Sequence, residues 1–208
     1  MTPPIPLFDE MDKPAELDTR TSLLYATAEE IYEHGYQAAS LTAIIKRAGV
    51  TKGALYHHFE SKLELGYALV DEILVKMVDG ELEKIWNLHE SPLECIKSMI
   101  LSQENFSFKE LNHGCPVFSL AQEMSPLDKG FKERFAKIFK DKFKRFSKEF
   151  KEGQKNGFIR KDINCDDIAV LFVGSFQGLL GLSLNFDDPS IIQSGFKGLL
   201  GYLELLKP

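Results

Sequence analysis

The residues best suited to chemistry lie in one short segment, Thr51 to His57, which reads Thr-Lys-Gly-Ala-Leu-Tyr-His. Its hydroxyl, ammonium, phenol and imidazole groups can all hydrogen-bond to phosphate or neutralise it. Gly53 adds a position without a side chain, where a backbone can approach phosphate or a base edge closely. The alternative for Gly53 is a glycine that only fills the start of a helix. These groups suit contact with nucleic acid, but the segment alone does not decide the function.

An enzyme is the competing class of protein, and few features of the sequence support it. It contains no serine nucleophile elbow, His-Glu-x-x-His pair, glycine-rich phosphate loop or acid pair in a defined context. The three cysteines, Cys95, Cys115 and Cys165, are too widely spaced for a zinc ligand set or a disulfide framework. We therefore expect no catalytic residues, no metal and no cofactor.

The net charge of −6 argues against a nucleic-acid partner if taken alone. The distribution of the charges along the chain matters more than their sum. From position 41 to 62 a single acid, Glu60, stands against four basic residues, Lys46, Arg47, Lys52 and Lys62. This basic island in an acidic chain is the expected contact surface for phosphate.

Composition predicts a protein that stays in the cytoplasm. Of the 208 residues, 44% are hydrophobic and 27% are charged, which is ordinary for a soluble globular chain. No stretch approaches the roughly 18 uninterrupted apolar residues of a membrane span, and Met1 to Lys13 lacks the apolar centre of a signal peptide. A membrane partner is not expected.

Hydrophobic spacing predicts an all-α fold of about nine helices. A disordered, proline-rich leader covers 1–16, and a first helix ends at a Gly35 stop. Two short helices follow, over 41–48 and 52–58, with Ser40 and Thr51 as N-caps and Gly49 between them. Longer helices are expected from 61 to about 88, from 92 to 109, over 115–124, from 128 to 153, over 166–185 and over 189–206.

Two short helices joined by a tight glycine turn form the unit that places a second helix in the DNA major groove. Helical hairpins are common, so this spacing alone is weak evidence for DNA binding. The residues from Leu41 to Lys62, LTAIIKRAGVTKGALYHHFESK, closely resemble the DNA-binding signature of the TetR family of repressors. The resemblance is specific from about Thr19 to Leu69. It implies a DNA-binding domain over 17–65, a helix-turn-helix at about 40–59, and a ligand-binding and dimerisation domain over 66–208.

The resemblance implies a bacterial transcriptional regulator that binds double-stranded DNA at a palindromic operator as a homodimer. A small-molecule effector or a reactive electrophile would release it, and repression is expected while activation stays open. Family positions that commonly touch DNA correspond here to Thr42, Thr51, Lys52, Gly53, Tyr56, His57 and Lys62. For Lys62 a solvated lysine is the alternative. A helical interaction module that has lost DNA binding would instead carry acidic or bulky residues around Lys52.

Three further features suit the C-terminal domain. Gly174, Gly178 and Gly181 leave one face of the eighth helix bare, which suits a four-helix dimer interface or close packing within one subunit. Cys115 stands at a predicted helix start, where the helix dipole would lower its pKa and favour electrophile sensing; an inert cysteine is the alternative. Aromatic residues that line a ligand cavity, or simply fill the core, are Trp86, Phe106, Phe118, Phe172 and Phe176.

A lysine-rich face between Lys129 and Lys161 resembles a second nucleic-acid surface or a basic membrane helix. Acidic residues interrupt it, so we interpret it as a solvated outer face.

Overall fold

A computed structural model of the chain describes residues 18–105 and 114–208, so the predicted disordered leader and Phe106 lie outside the described residues. Within these ranges every regular element is helical, which confirms the all-α prediction. The nine helices are α1 (Thr19–His34), α2 (Leu41–Ala48), α3 (Lys52–His58), α4 (Lys62–Trp86), α5 (Pro92–Asn105), α6 (Pro116–Met124), α7 (Lys129–Lys155), α8 (Cys165–Leu182) and α9 (Ser190–Glu204).

The ends of the two short helices follow from local side chains. Ser40 Oγ accepts the backbone N–H of Ala43 at 3.4 Å, and Thr51 Oγ1 accepts that of Ala54 at 3.1 Å. Each hydroxyl satisfies a donor that the first helical turn leaves free. Gly49, with φ of 68°, makes the left-handed turn between α2 and α3. The predicted N-caps and glycine turn are confirmed.

Helix α4 is continuous but not uniform. It contains an α-helical start (Lys62–Ala68), a π-helical turn (Leu69–Leu74) and an α-helical end (Val75–Trp86). Ser61 Oγ accepts the N–H of Glu64 at 3.2 Å, as the capping-box spacing predicts, while Glu64 Oε2 accepts the N–H of Glu60 at 2.9 Å. The π-helical turn has no counterpart in the sequence prediction, because the apolar pattern continues through it.

The described residues form two compact units. The first contains residues up to Val78 together with 120–135, and the second contains 79–119 and 136–208. In the first unit α1 packs against α2, α3 and α4. Its fully buried side chains include Leu23, Leu24, Ile44, Leu55, Leu65, Phe131 and Phe135. This core holds the two short helices in place.

The second unit is built around a chain of aromatic rings. Trp86 packs edge-on against Phe146 with ring centroids 4.8 Å apart, and Phe146 packs on Phe172 at 5.7 Å. Phe172 continues to Phe176 at 6.1 Å, and Phe176 to Phe196 at 5.7 Å. The rings come from four helices, α4, α7, α8 and α9, so their contacts tie those helices into one core.

Helix α8 stands out in the second unit by the combination of its length and its apolar composition. The segment Cys165–Asn185 has a mean hydropathy of 1.6 and is long enough to span a membrane by length and composition. One side of it packs into the second unit through Ala169, Phe172 and Val173, while Val170, Leu171 and Leu182 are exposed. The exposed side of α8 is therefore an apolar surface.

Candidate nucleic-acid interface

Helix α3 divides its side chains between core and solvent. Leu55 is fully buried, and Phe59 just beyond the helix is 2% exposed, so this side anchors α3 on the first unit. The predicted contact residues Thr51, Lys52, Gly53, Tyr56 and His57 are all exposed. The seven-residue helix thus exposes four of the predicted site residues, and its N-cap Thr51 is the fifth.

No contact and no backbone angle in the described part of the chain requires glycine at position 53. A Cβ at this position would meet only Thr51 Oγ1, at 3.8 Å, which is an ordinary contact. The residue is helical and has no positive φ. The position at the start of α3 therefore has open space beside it, and either of the two interpretations of Gly53 agrees with this geometry.

The basic island carries less free charge than its residue count suggests. The Arg47 guanidinium pairs with Glu33 at 2.8 Å, Glu29 at 3.3 Å and Glu30 at 3.4 Å, and these carboxylates raise its pKa. Of the four cations, only Lys46 and Lys52 form no ion pair or carbonyl contact with the described residues. The Lys52 ammonium lies 5.8 Å from the centre of the Tyr56 ring. Lys52 is therefore the cation of α3 whose ammonium group is exposed and unpaired among the described residues.

Lys62 has a structural role that the sequence did not predict. Its ammonium donates hydrogen bonds to the carbonyls of Ala39 at 2.7 Å and Gln37 at 3.2 Å, and lies 4.8 Å above the Tyr36 ring. Burial lowers the pKa of Lys62. Its donors hold the loop before α2, and the phosphate contact stays a prediction. Thr42, by contrast, is exposed on α2 as expected.

Sequence reasoning missed the groups that fix this loop. Glu123 of α6 accepts the backbone N–H groups of Tyr36 and Gln37, each at 2.8 Å. A Cβ on Gly35, whose φ is 80°, would lie 3.2 Å from Glu123 Oε2, so glycine leaves room for the carboxylate. Glu30 Oε1 accepts the N–H of Ser40 at 3.1 Å. No local pattern marks Glu123, because 87 positions separate it from Tyr36.

Tyr36 and Arg20 complete the support of the two short helices. The Tyr36 hydroxyl donates to the Lys62 carbonyl at 3.1 Å, and burial raises the pKa of Tyr36 to about 12. The Arg20 guanidinium pairs with Glu72, and its carbon lies 4.5 Å from the centre of the Phe59 ring. Both residues fall within the stretch of resemblance, but their partners are distant and could not be assigned from spacing.

One cluster of possible metal ligands occurs among the described residues. The ligand atoms of Glu30, Glu33 and His34 lie within 4.8 Å of one another. Both carboxylates bind the Arg47 guanidinium, and Glu30 also caps Ser40. These partners account for the two acids without a metal ion.

Cys115 does not have the predicted electrostatics. It directly precedes α6, as expected, but desolvation of its thiol raises its pKa. The expectation of a lowered pKa is wrong, because burial outweighs the helix dipole. Burial likewise raises the pKa values of Cys95 and Cys165. None of the three thiols therefore has a lowered pKa.

The predicted aromatic lining residues all lie in the second unit where they are described. Trp86, Phe172 and Phe176 are buried members of the ring chain, while Phe118 is half-buried and packs edge-on against Phe139 at 6.3 Å. The structure thus brings Trp86 and Phe172 together through Phe146 and leaves Phe118 in a different aromatic pair.

The three glycines of α8 do not share one environment. A Cβ on Gly174 or Gly178 would meet nothing within 4 Å, whereas a Cβ on Gly181 would lie 3.5 Å from the Phe118 ring. Gly198 and Gly201 of α9 are also open. Exposed apolar residues occur on both helices and directly after α9: Val170, Leu171, Leu182, Ile191 and Leu205.

Comparison with known proteins gives two matches to family profiles. The profile described as "Bacterial regulatory proteins, tetR family" matches residues 23–69. The profile described as "Tetracyclin repressor-like, C-terminal domain" matches residues 93–198, which is more than half of the chain.

Individual relatives are distant but extend over most of the chain. An uncharacterised HTH-type transcriptional regulator from the lacX 3′ region of Lactococcus lactis subsp. lactis is 27% identical over 86% of this chain and 90% of its own length. The HTH-type transcriptional repressor DhaR of a Mycobacterium species, strain GP1, is 28% identical over 80% and 82%. The crystal structure of a regulatory protein TetR from Rhodobacter sphaeroides has a TM-score of 0.78 at 24% identity, covering 88% of this chain and 98% of that one.

Proposed function

Since the chain belongs to the tetR family of bacterial regulatory proteins and is a transcriptional regulator rather than an enzyme, we propose that it is a homodimeric repressor that a small molecule releases from its operator. The observation that carries the proposal is the exposed surface of α3. The exposed residues of α3 and its N-cap are Thr51, Lys52, Gly53, Tyr56 and His57. Leu55 and Phe59 fix the helix to the core.

On DNA, α3 enters the major groove as the second helix of the helix-turn-helix. The Lys52 ammonium neutralises a phosphate, and the Thr51 hydroxyl and the backbone at Gly53 approach base edges. Tyr56 and His57 hydrogen-bond to the backbone or to bases one turn further along. Thr42 of α2 contacts phosphate from the other side of the groove. Lys62 acts mainly by holding the loop from Gly35 to Ser40, consistent with its two carbonyl contacts.

The exposed apolar residues of α8 and α9 support a homodimer. We define the dimer face by the open glycines Gly174, Gly178, Gly198 and Gly201 and the exposed side chains Val170, Leu171, Leu182, Ile191 and Leu205. Removal of exposed apolar surface from water favours association, and bare glycines permit close approach of helices. Two copies packed as four helices would cover the face, with Gly181 at its edge. This explains the apolar character of α8 without a membrane, and we assign the protein to the cytoplasm.

The effector would bind within the second unit, where the aromatic chain through Trp86, Phe172 and Phe176 supplies the apolar surface. Phe118 lies in the same unit, and Phe106 remains a prediction. Binding would favour a state with weaker operator affinity, which is a two-state coupling. The raised pKa of Cys115 supports a non-covalent small molecule over a reactive electrophile. The similarity to DhaR, which is named a repressor, supports repression as the output.

The direct test is selection of DNA by the purified protein. Rounds of binding to a random duplex pool, followed by footprinting of the enriched sequence, should give a palindrome. Its half-sites should be protected about one helical turn, or a multiple of it, apart. Enrichment of no sequence by a folded protein would support the alternative of a helical interaction module.

A further inference from the structure

A groove lies on the surface of the second unit, beside the C-terminal half of α7. Its volume is about 700 Å³, which is within the range of sites for small molecules. Helix α7, the loop after it and the first turn of α8 supply its walls. The charged residues that line it are five lysines and two acids: Lys144, Lys148, Lys151, Lys155, Lys161, Glu152 and Asp166. The groove is therefore positive, although the chain has a net charge of −6.

The lysines of α7 form a row along the groove. Four of them are separated by four, three and four residues: Lys144, Lys148, Lys151 and Lys155. This spacing puts them on one side of the helix, and at a helical rise of 1.5 Å per residue the row extends over roughly 16 Å. A single phosphate is too short to contact the whole row. A ligand that matches it carries several negative groups along its length.

Two of the five lysines have no ionic partner. The ammonium groups of Lys148 and Lys161 are exposed and form no ion pair or hydrogen bond with another described residue. The Lys144 ammonium pairs with Asp141 at 3.5 Å, and both side chains are largely exposed. An exposed pair within one helix contributes little to stability, so a ligand anion can replace the carboxylate of Asp141.

The two acids of the groove are already paired. Asp166 Oδ1 accepts hydrogen bonds from the Lys151 ammonium at 2.8 Å and from the Ser147 hydroxyl, and these donors lower the pKa of Asp166. Glu152 accepts the Lys155 ammonium at 2.7 Å. Each acid thus neutralises one lysine, and the other three lysines of the groove supply its excess positive charge.

The loop that carries Lys161 is held against α7. The side-chain nitrogen of Gln154, which also lines the groove, donates to the carbonyls of Arg160 at 2.9 Å and Ile163 at 3.0 Å. These two bonds fix the loop on both sides of Lys161. The groove is therefore formed before a ligand binds, which lowers the entropy cost of binding.

We propose that this groove binds a small molecule with a chain of two or more phosphate groups, of the kind that a nucleoside polyphosphate carries. Lysine ammonium groups bind phosphate as point charges, and an oligophosphate matches the row in both length and charge. A DNA duplex is too wide to enter a groove of this volume. The site requires neither the operator nor a guest in the aromatic core, so it goes beyond the proposed function.

Calorimetry of DNA-free protein with sodium tripolyphosphate tests the proposal. Tripolyphosphate should bind at low ionic strength, with an affinity that falls as salt is added, and it should raise the Tm. Orthophosphate at the same ionic strength should bind about tenfold more weakly or less, because it reaches fewer lysines.

Two double variants locate the site. Lys148→Gln combined with Lys161→Gln removes the two unpaired charges and should weaken tripolyphosphate binding by about tenfold or more. Lys132→Gln combined with Lys137→Gln is the matched control, because both lysines are exposed on α7 and neither lines the groove. The control variant should keep an affinity close to that of wild type. Circular dichroism checks that both variants keep their helical fold.

Asp166→Asn should change the affinity in the opposite direction. The substitution removes a negative charge from the groove and releases the Lys151 ammonium, so tripolyphosphate should bind about fivefold more tightly. A purely structural role of Asp166 would not increase the affinity for an anion.

Equal tripolyphosphate affinity in wild type and the Lys148 and Lys161 double variant would overturn the proposal, as would equal losses in the two double variants. Lys52→Ala should leave tripolyphosphate binding unchanged, and a loss in this variant would instead place the anion on α3. Displacement of tripolyphosphate from the Lys52→Ala protein by a random DNA duplex would identify the lysines as a DNA surface and would overturn the proposal too.

Discussion

The carboxylate of Glu123 lies 2.8 Å from the backbone nitrogen of Tyr36, although 87 positions separate the two residues. The second carboxylate oxygen holds the N–H of Gln37 at the same distance. These bonds fix the backbone N–H groups of the loop from Gly35 to Ser40. The Lys62 ammonium binds two carbonyls of the same loop. The orientation of the helix-turn-helix therefore depends on a residue that sequence similarity alone does not associate with DNA.

Glu123→Gln should weaken operator binding. The glutamine keeps one acceptor but presents an N–H₂ group to the second backbone N–H, leaving a donor unpaired at a cost of about 1–3 kcal/mol in local stability. Loss of a negative charge would by itself strengthen DNA binding, so a decrease in affinity has the opposite sign from the electrostatic effect. Fluorescence anisotropy with the selected operator measures it.

The matched control for this variant is Glu133→Gln. Glu133 is an exposed residue of α7 that pairs with Lys129 at 3.6 Å, so the substitution removes the same charge without touching the loop. Operator affinity should stay unchanged or rise slightly. Equal effects of the two substitutions would mean that Glu123 acts only through its charge.

Gly53→Ala should make the free protein more stable and the complex weaker. The new Cβ meets only Thr51 Oγ1, at 3.8 Å, and alanine stabilises a helix by about 0.5–1 kcal/mol relative to glycine. The added methyl group would separate the backbone from DNA. Thermal denaturation and operator binding measure the two effects, and Gly80→Ala, at another open helical glycine, should raise stability without loss of binding. If Gly53→Ala binds the operator with full affinity, the backbone at this position does not approach DNA closely.

Gly178→Leu should dissociate the dimer. A Cβ at Gly178 meets nothing within 4 Å in the protomer, and a leucine side chain there would occupy the space that the proposed partner helix needs. Multi-angle light scattering at micromolar concentration should give a dimer for wild type and a monomer or aggregate for the variant, with unchanged helical circular dichroism. Gly80→Leu serves as the control and should remain dimeric. A wild-type monomer would contradict the symmetric-operator proposal.

Cys115 should be a slow thiol at neutral pH. Its pKa is raised by desolvation, so the thiolate that reacts with electrophiles forms only as the pH rises through that raised pKa. Iodoacetamide labelling followed by mass spectrometry should show slow modification at pH 7 and faster modification at higher pH. Cys115→Ser should keep the wild-type effector response. Preferential labelling of Cys115 at pH 7, with release of DNA, would restore the electrophile-sensing hypothesis.

Local features of the fold could be predicted from the sequence, because they depend on neighbours along the chain. The Ser40 and Thr51 caps, the Gly49 turn and the exposed position of Lys52 all follow from residue type and spacing. The alternation of Leu55 and Phe59 with polar residues predicted which side of α3 is buried.

Long-range partners could not be predicted in this way. Counting charges made Arg47 and Lys62 part of a free basic surface, but the structure pairs Arg47 with three carboxylates and directs Lys62 to two carbonyls. For Cys115, the helix start was predicted correctly, but its desolvation depends on packing that spacing does not show. In each case a tertiary contact overrode a correct local inference.

The central claim is that α3 reads DNA with Lys52 as its phosphate contact and Tyr56 near the bases. The most direct measurement is the affinity of wild type, Lys52→Ala, Tyr56→Ala and Lys129→Ala for operator and random duplexes across a salt series. Lys129, exposed on α7, controls for the loss of a positive charge elsewhere. Lys52→Ala should weaken binding to both duplexes and reduce the log–log salt slope by about 1. Tyr56→Ala should reduce the preference for the operator by about 1–3 kcal/mol, and Lys129→Ala should keep the wild-type slope and preference. Wild-type binding by both folded α3 variants would contradict the account.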